Sequence, residues 1–298
     1  MTNEQLDMHR PTAEFRDYLE GEVIHELRRR RTFRRLRAAA VIIVSVGIGM
    51  TTTLASAQVR SNSQRDSLKD ALVGEAALAT VRFMIAKSQL ADEQKQVAAG
   101  TRPASSLTEA ELQLRIAEEE VARVVLNGRE IEASGMPPRD DLNAPLVKGE
   151  DFVRQRIENR MMTANKKLLA AEQNQAQASR RFSVGAATEL EVAEADLALL
   201  RTRSDLAVLA ARSQARAEFL GKGTPVDELM RRIERTEVQQ EAAVAQQGLE
   251  NARKRLVIVE RRQQVGAASD VDVLRVRLEV KERELDLQRV VVRLKQIK

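Results

Sequence analysis

The chain has no cysteine and no tryptophan, and only one tyrosine, six phenylalanines and two histidines in 298 residues. Each shortage excludes something. Without cysteine there is no disulfide, no thiolate catalysis and no cysteine-ligated zinc or iron–sulfur site. The histidines, His9 and His25, both lie near the N-terminus, so no Ser-His-Asp triad can form in residues 60–298. Neither histidine has a partner at metal-ligating spacing. Aromatics at 2% are too few for the interfacial girdles of an outer-membrane barrel, and few for a core that depends on rings for buried area. Composition therefore argues against an enzyme, and no cofactor, metal or small-molecule substrate is expected. What is plentiful is charge, at 31% of residues, mixed with Ala, Leu and Val, a combination suited to long helices.

The formal charge of +5 is unevenly placed. Residues 1–37 carry nine arginines against seven carboxylates, residues 38–59 carry no charge, and residues 60–298 are close to balanced. The one basic cluster is Arg28, Arg29, Arg30, Arg31, Arg34, Arg35 and Arg37. Nucleic-acid binding would need basic residues gathered on one face of the body, so no nucleic-acid partner is expected. The cluster instead precedes Ala38–Val59, an uncharged run that as a helix would cover about 33 Å, enough for a bilayer core. Arginine flanks stay on the cytoplasmic side. This predicts a single-pass protein of the bacterial inner membrane, N-terminus inside and residues 60–298 in the periplasm. Ala55-Ser56-Ala57 before Gln58 also fits a signal-peptidase site, but the long charged leader and long apolar run favour an uncleaved anchor. Ser45, Gly49 and Thr53 recur every four residues along the span, a spacing that lets transmembrane helices approach closely. Upstream, Thr12–Leu27 reads as a helix capped by Thr12, with Phe15, Leu19, Val23 and Leu27 on one stripe, suited to a membrane surface or a partner's cytoplasmic face.

After residue 60, Gly and Pro divide the chain into six helical stretches: hairpin 1 at 60–127, an irregular linker at 128–149, hairpin 2 at 150–221 and hairpin 3 at 222–298. Aligning Gly100, Gly185 and Gly266 reveals a repeat, in which Leu107, Val192 and Val273 coincide, as do Leu112, Leu197 and Leu278. Each glycine suits a left-handed helix end. Thr188…Glu191 and Ser269…Asp272 have the form of capping boxes for the helices that follow, and Ser106…Glu109 offers a displaced version in the first copy. Val273, Val276, Val280, Leu287, Val290, Leu294 and Ile297 keep three-and-four spacing, as do Ala245, Leu249, Ala252, Leu256 and Val259. The expected fold is all-α: one transmembrane helix and three long antiparallel α-hairpins with coiled-coil-like seams, their tips at Gly100, Val184-Gly185-Thr188 and Val265-Gly266-Ser269.

The string Arg181-Phe182-x-Val184-Gly185-x-x-Thr188-x-Leu190-x-Val192-x-x-Ala195, closing at Leu220-Gly221, resembles the repeat of TolC-like outer-membrane efflux proteins. The resemblance covers about 165–298, and weakly 75–125. It implies α-hairpins whose periplasmic tips meet an adaptor protein. Yet Gly221-Lys222-Gly223-Thr224-Pro225 leaves no room for barrel strands, the 128–149 linker lacks alternating apolar runs, and an inner-membrane anchor is foreign to the family. The channel function is therefore not carried over.

Other motifs are weak. Lys222-Gly223-Thr224 lacks the spacing and preceding strand of a phosphate loop. Glu118-Glu119-Glu120 reads as a solvated face, and Asp140-Asp141 with Glu150-Asp151 as loop carboxylates rather than a cation site. The linker's apolar patch, Ala144-Pro145-Leu146-Val147, either docks on a neighbouring subunit or folds back on the hairpins. The function expected is a periplasmic scaffold or accessory subunit of an efflux, respiratory or photosynthetic membrane complex, with other membrane-protein subunits and the lipid bilayer as partners. The alternatives are a TolC-like transport component docking through its tips and an envelope-stress signalling protein.

Overall fold

A computed structural model describes residues 55–103 and 105–297, with side chains from residue 67 onward. The chain divides into two compact units, Met1–Ser61 and Asn62–Lys298, and the second holds the helical body. Among the described residues six α-helices follow one another: α1 (Ala55–Ala98), α2 (Ser105–Ser134), α3 (Phe152–Ser183), α4 (Glu189–Lys222), α5 (Val226–Gln264) and α6 (Asp270–Gln296). These residues form an all-helical fold. Among the described residues the only β pairing is an isolated antiparallel bridge, Val147 with Glu150.

The expected transmembrane helix finds no support in the structure. Among the described residues no helix is long and apolar enough to cross a membrane. Most of Ala38–Val59 lies outside the described residues, as do Ser45, Gly49, Thr53, the arginines of 28–37 and the Thr12–Leu27 stripe. The last five residues of that span are not a separate element: they open α1, which continues to Ala98.

From α2 to α6, helices successive in sequence pack against one another. Arg82 and Glu120, with Arg123 and Glu75, link α1 to α2. Most buried apolar positions are small or β-branched, among them Ala110, Ala117 and Val124 on α2, Ala164 and Ala170 on α3, and Val273, Val276, Val280 and Val290 on α6. Leu249, Ala252 and Val280 form one cluster, with Leu256 and Leu287 packed against it. Seams of this kind bury little area per residue but let helix axes come close; rings enter beside the linker, where Phe152 is buried and Phe219 packs against the Leu142 cluster.

The three tips share one backbone design. The amides of Gly100, Gly185 and Gly266 donate to the carbonyls of Val97, Phe182 and Gln263. The next amides, those of Thr101, Ala186 and Ala267, donate to Gln96, Arg181 and Arg262. This is the Schellman pattern, and the glycines sit in its left-handed position at φ +70°, +73° and +73°. The following helices differ. Thr188 and Glu191 cap α4 reciprocally, and Ser269 and Asp272 do the same for α6. In the first repeat the displaced box is absent: Ser106 lies inside α2, and its hydroxyl donates to the Pro103 carbonyl.

Candidate interaction surfaces

Two buried arginines organise the middle of the chain. Arg216 on α4 is 1% exposed. Its Nε donates to Asp151 Oδ2 at 3.0 Å and its Nη2 to Oδ1 at 2.9 Å, a bidentate pair. Its Nη1 donates to the carbonyls of Leu142 and Ala144 at 2.6 and 2.8 Å. Asp151 also caps α3, accepting from the Arg154 amide. One guanidinium thus ties the linker, the start of α3 and the middle of the bundle together. Arg156 on α3 repeats the theme: it donates to Glu130 at 2.6 Å and to the Arg139 carbonyl, and pairs with Asp140.

These contacts fold the linker back on its own chain at Leu142 and Ala144, while Pro145 and Leu146 of the apolar patch stay exposed. Leu142 is buried with Ala215, Leu229 and Ile233, and Ala144 with Val153 and Ile157. The linker closes in a tight turn, Lys148 at φ +51° and Gly149 at φ +83°, bracketed by the Val147–Glu150 bridge.

The acidic residues of the linker are held by arginine. Asp140 pairs with Arg156 and Arg160, Asp141 with Arg139, Glu150 with Arg129, and Asp151 with Arg216. Among the described residues no group of His, Asp or Glu is arranged to hold a metal ion. Glu118 and Glu120 point to different partners, Arg115 and Arg82.

The residues singled out at the tips stand at the surface. Val184 and Val265, at matching positions, are each 78% exposed, and Phe182 is half-exposed. At the helix starts, hydrogen bonds from Thr188, first from its backbone and then from its side chain, hold the Glu191 carboxyl below its ordinary value. The Ser269 hydroxyl and amide do the same for Asp272. Both carboxylates therefore stay charged against the positive end of a helix.

Between the tips and the linker, two open hollows meet over Gly248, where α4, α5 and α6 adjoin. Leu197, Asn251, Arg255 and Arg283 line one of them, and ion pairs cross it: Arg255 reaches Glu194 on α4 and Glu279 on α6. The hollow is a charged groove, with no enclosed space in which a substrate could be shielded from water.

Sequence reasoning missed both arginines and the bare apolar residues of the outer helices. An arginine in an otherwise exposed-looking helix gives no sign that it is buried. Repeated leucines at heptad spacing on a second face of the last helix were the available signal for the others. Comparison with family models, with curated proteins and with solved structures finds no match.

Proposed function

We propose that the chain is a non-enzymatic scaffold subunit of a larger bacterial membrane complex, held in the inner membrane by residues 38–59 with the helical body in the periplasm. One observation carries the reading. Large apolar side chains stand bare at both recurring tips and along the outer helices, among them Val184, Val265, Leu78 and Leu278 at 78, 78, 63 and 59% exposure. In a chain whose interior is mostly Ala and Val, such residues are the mark of contact surfaces. The rigid pinning of the linker by Arg216 and Arg156 supports the same role, since it fixes the relative position of neighbouring hairpins. Purification of the full chain in mild detergent from its native membrane, followed by identification of co-purifying subunits, tests this. A defined set of membrane partners is expected; a clean monomer rejects the scaffold role.

A second reading is favoured by the tips specifically: equivalent exposure of Val184 and Val265 suits docking of a transport partner end-on. Val184→Asp with Val265→Asp separates the two. Loss of transport from an otherwise intact complex supports end-on docking, whereas unchanged transport leaves the edges of the hairpins as the contact surface.

A further inference from the structure

We infer that the two outer helices of the body are halves of one interface, α6 of one copy packing on α1 of a second copy, so that the repeat continues from chain to chain. On α6 the buried stripe, Val273, Val276, Val280 and Val290, faces α5. A second stripe, Val271, Leu274, Leu278, Leu285 and Val292, is 52–61% exposed throughout. At about 100° per residue the two stripes lie roughly 170° apart, on opposite sides of the helix. A helix with one apolar face covered and another bare on the far side is an interior helix lacking its neighbour.

The internal repeat identifies that neighbour. With Gly185 and Gly266 superimposed, the bare residues of α6 correspond to Leu190, Ala193, Leu197, Ser204 and Ala211 of α4. Among them Ala193 and Ser204 meet α5, and Leu190 and Leu197 line the groove beside it. Ala193 and Ser204 are buried there, the Ala193 carbonyl accepting from Asn251 Nδ2 at 2.7 Å and the Ser204 hydroxyl bonding Gln240 at 3.2 Å. The bare positions Leu274 and Leu285 on α6 thus match ones that α4 uses between hairpins.

The complementary half is found on α1. Its tip has the same hydrogen-bond pattern as the tip of α5, which sets the register. The α5 residues at the seam with α4, Gln240, Val244, Gln247 and Asn251, then correspond to Gly74, Leu78, Val81 and Ile85 of α1. Gln240, Val244 and Gln247 are half-buried and Asn251 is buried, while Leu78, Val81 and Ile85 are 63, 44 and 52% exposed. A Cβ built on Gly74 would meet nothing within 4 Å.

Transferring the seam pair by pair gives matched chemistry. Ala193 against Asn251 becomes Leu274 against Ile85, and Ser204 against Gln240 becomes Leu285 against Gly74; the same antiparallel register sets Leu278 level with Val81. Where the internal seam uses polar bonds, both free edges place apolar groups, and a leucine meets a glycine. Two different edges of one molecule that fit each other make a head-to-tail contact, which either closes a ring or extends as a filament.

Absence of cysteine makes the test direct. The full chain carrying Leu274→Cys and Ile85→Cys is purified in mild detergent and oxidised. A ladder of disulfide-linked oligomers is expected, together with a hetero-dimer when the two single variants are mixed. Adding Leu278→Glu, at a position already exposed in the folded chain, should reduce the linked fraction about tenfold, a difference of roughly 1.4 kcal/mol, with the helical circular dichroism unchanged. The proposal is overturned if the double variant stays monomeric. It is equally overturned if either single variant alone gives the same yield of dimer, since like edges would then be meeting, or if the thiol introduced by Leu274→Cys links to a different polypeptide.

Discussion

Arg216 is the single residue on which most depends. Its guanidinium has lost nearly all contact with water, and four of its hydrogen bonds end on Asp151 and two linker carbonyls. A buried cation so paired adds less than its contacts suggest, because desolvation offsets much of the attraction, but removing it strands the partners. Arg216→Met is therefore expected to cost about 3–5 kcal/mol in urea denaturation. Arg216→Lys should recover only part of the loss, because an ammonium cannot span the carboxylate and both carbonyls. Lys148 presents the opposite case. It occupies left-handed backbone at φ +51° in the turn that closes the linker, where its Cβ crowds the following carbonyl oxygen and its side chain lacks the local hydrogen bonding that lets Asn adopt this conformation. Lys148→Asn should raise stability by about 0.5–1 kcal/mol, seen as a higher urea midpoint without a change in slope.

At the level of elements, the helix ends explain how a repeat with little sequence identity keeps its geometry. A left-handed glycine stops one helix and a reciprocal cap starts the next, at both Gly185–Glu191 and Gly266–Asp272. This much was legible: αL glycines, capping-box spacing and three-and-four periodicity are local signals, and Val273, Val276 and Val280 sit on the face their spacing implies. The linker was not legible, because what anchors Leu142 and Ala144 is a side chain more than seventy residues later in the chain. Nor was the second stripe of α6, whose leucines are interleaved with Arg275, Lys281 and Glu282 and look like an ordinary solvated face. The caps carry a pH dependence. Glu191 and Asp272 are held below their ordinary values, so their contribution is present above the usual carboxylate range and is lost as pH falls through the lowered folded values. The carboxylates of Glu218, beside Arg232 and Gln214, and Glu284, beside Lys281 and Arg253, act in the same direction. Stability should be level from about pH 7 to 5 and decline below about 4. Glu191→Gln with Asp272→Asn should make that decline shallower, measured by urea midpoints across the acid range.

For the whole molecule, the contrast between its internal seams and its free edges predicts how an assembly responds to salt. Within the chain α4 meets α5 through polar and ionic contacts at Ser204–Gln240, Glu194–Arg255 and Glu189–Lys254. The corresponding positions at the edges are Leu285 with Gly74, Arg275 with Gln89, and Asp270 with Ser88. No opposite-charge pair is carried over, so joining two copies would rest on burial of leucine, isoleucine and valine. Apolar association of this kind does not weaken as the Debye length shrinks to about 3 Å at 1 M salt, and strongly hydrated salts reinforce it. The assembly formed by the full chain in mild detergent should keep its sedimentation coefficient from about 0.1 to 1 M sodium chloride. Leu278→Glu should weaken it at every salt concentration. A complex that falls apart on raising the salt would place the joining surface elsewhere, among the charged walls of the groove over Gly248, where Arg255, Glu194 and Glu279 already lie within reach of one another.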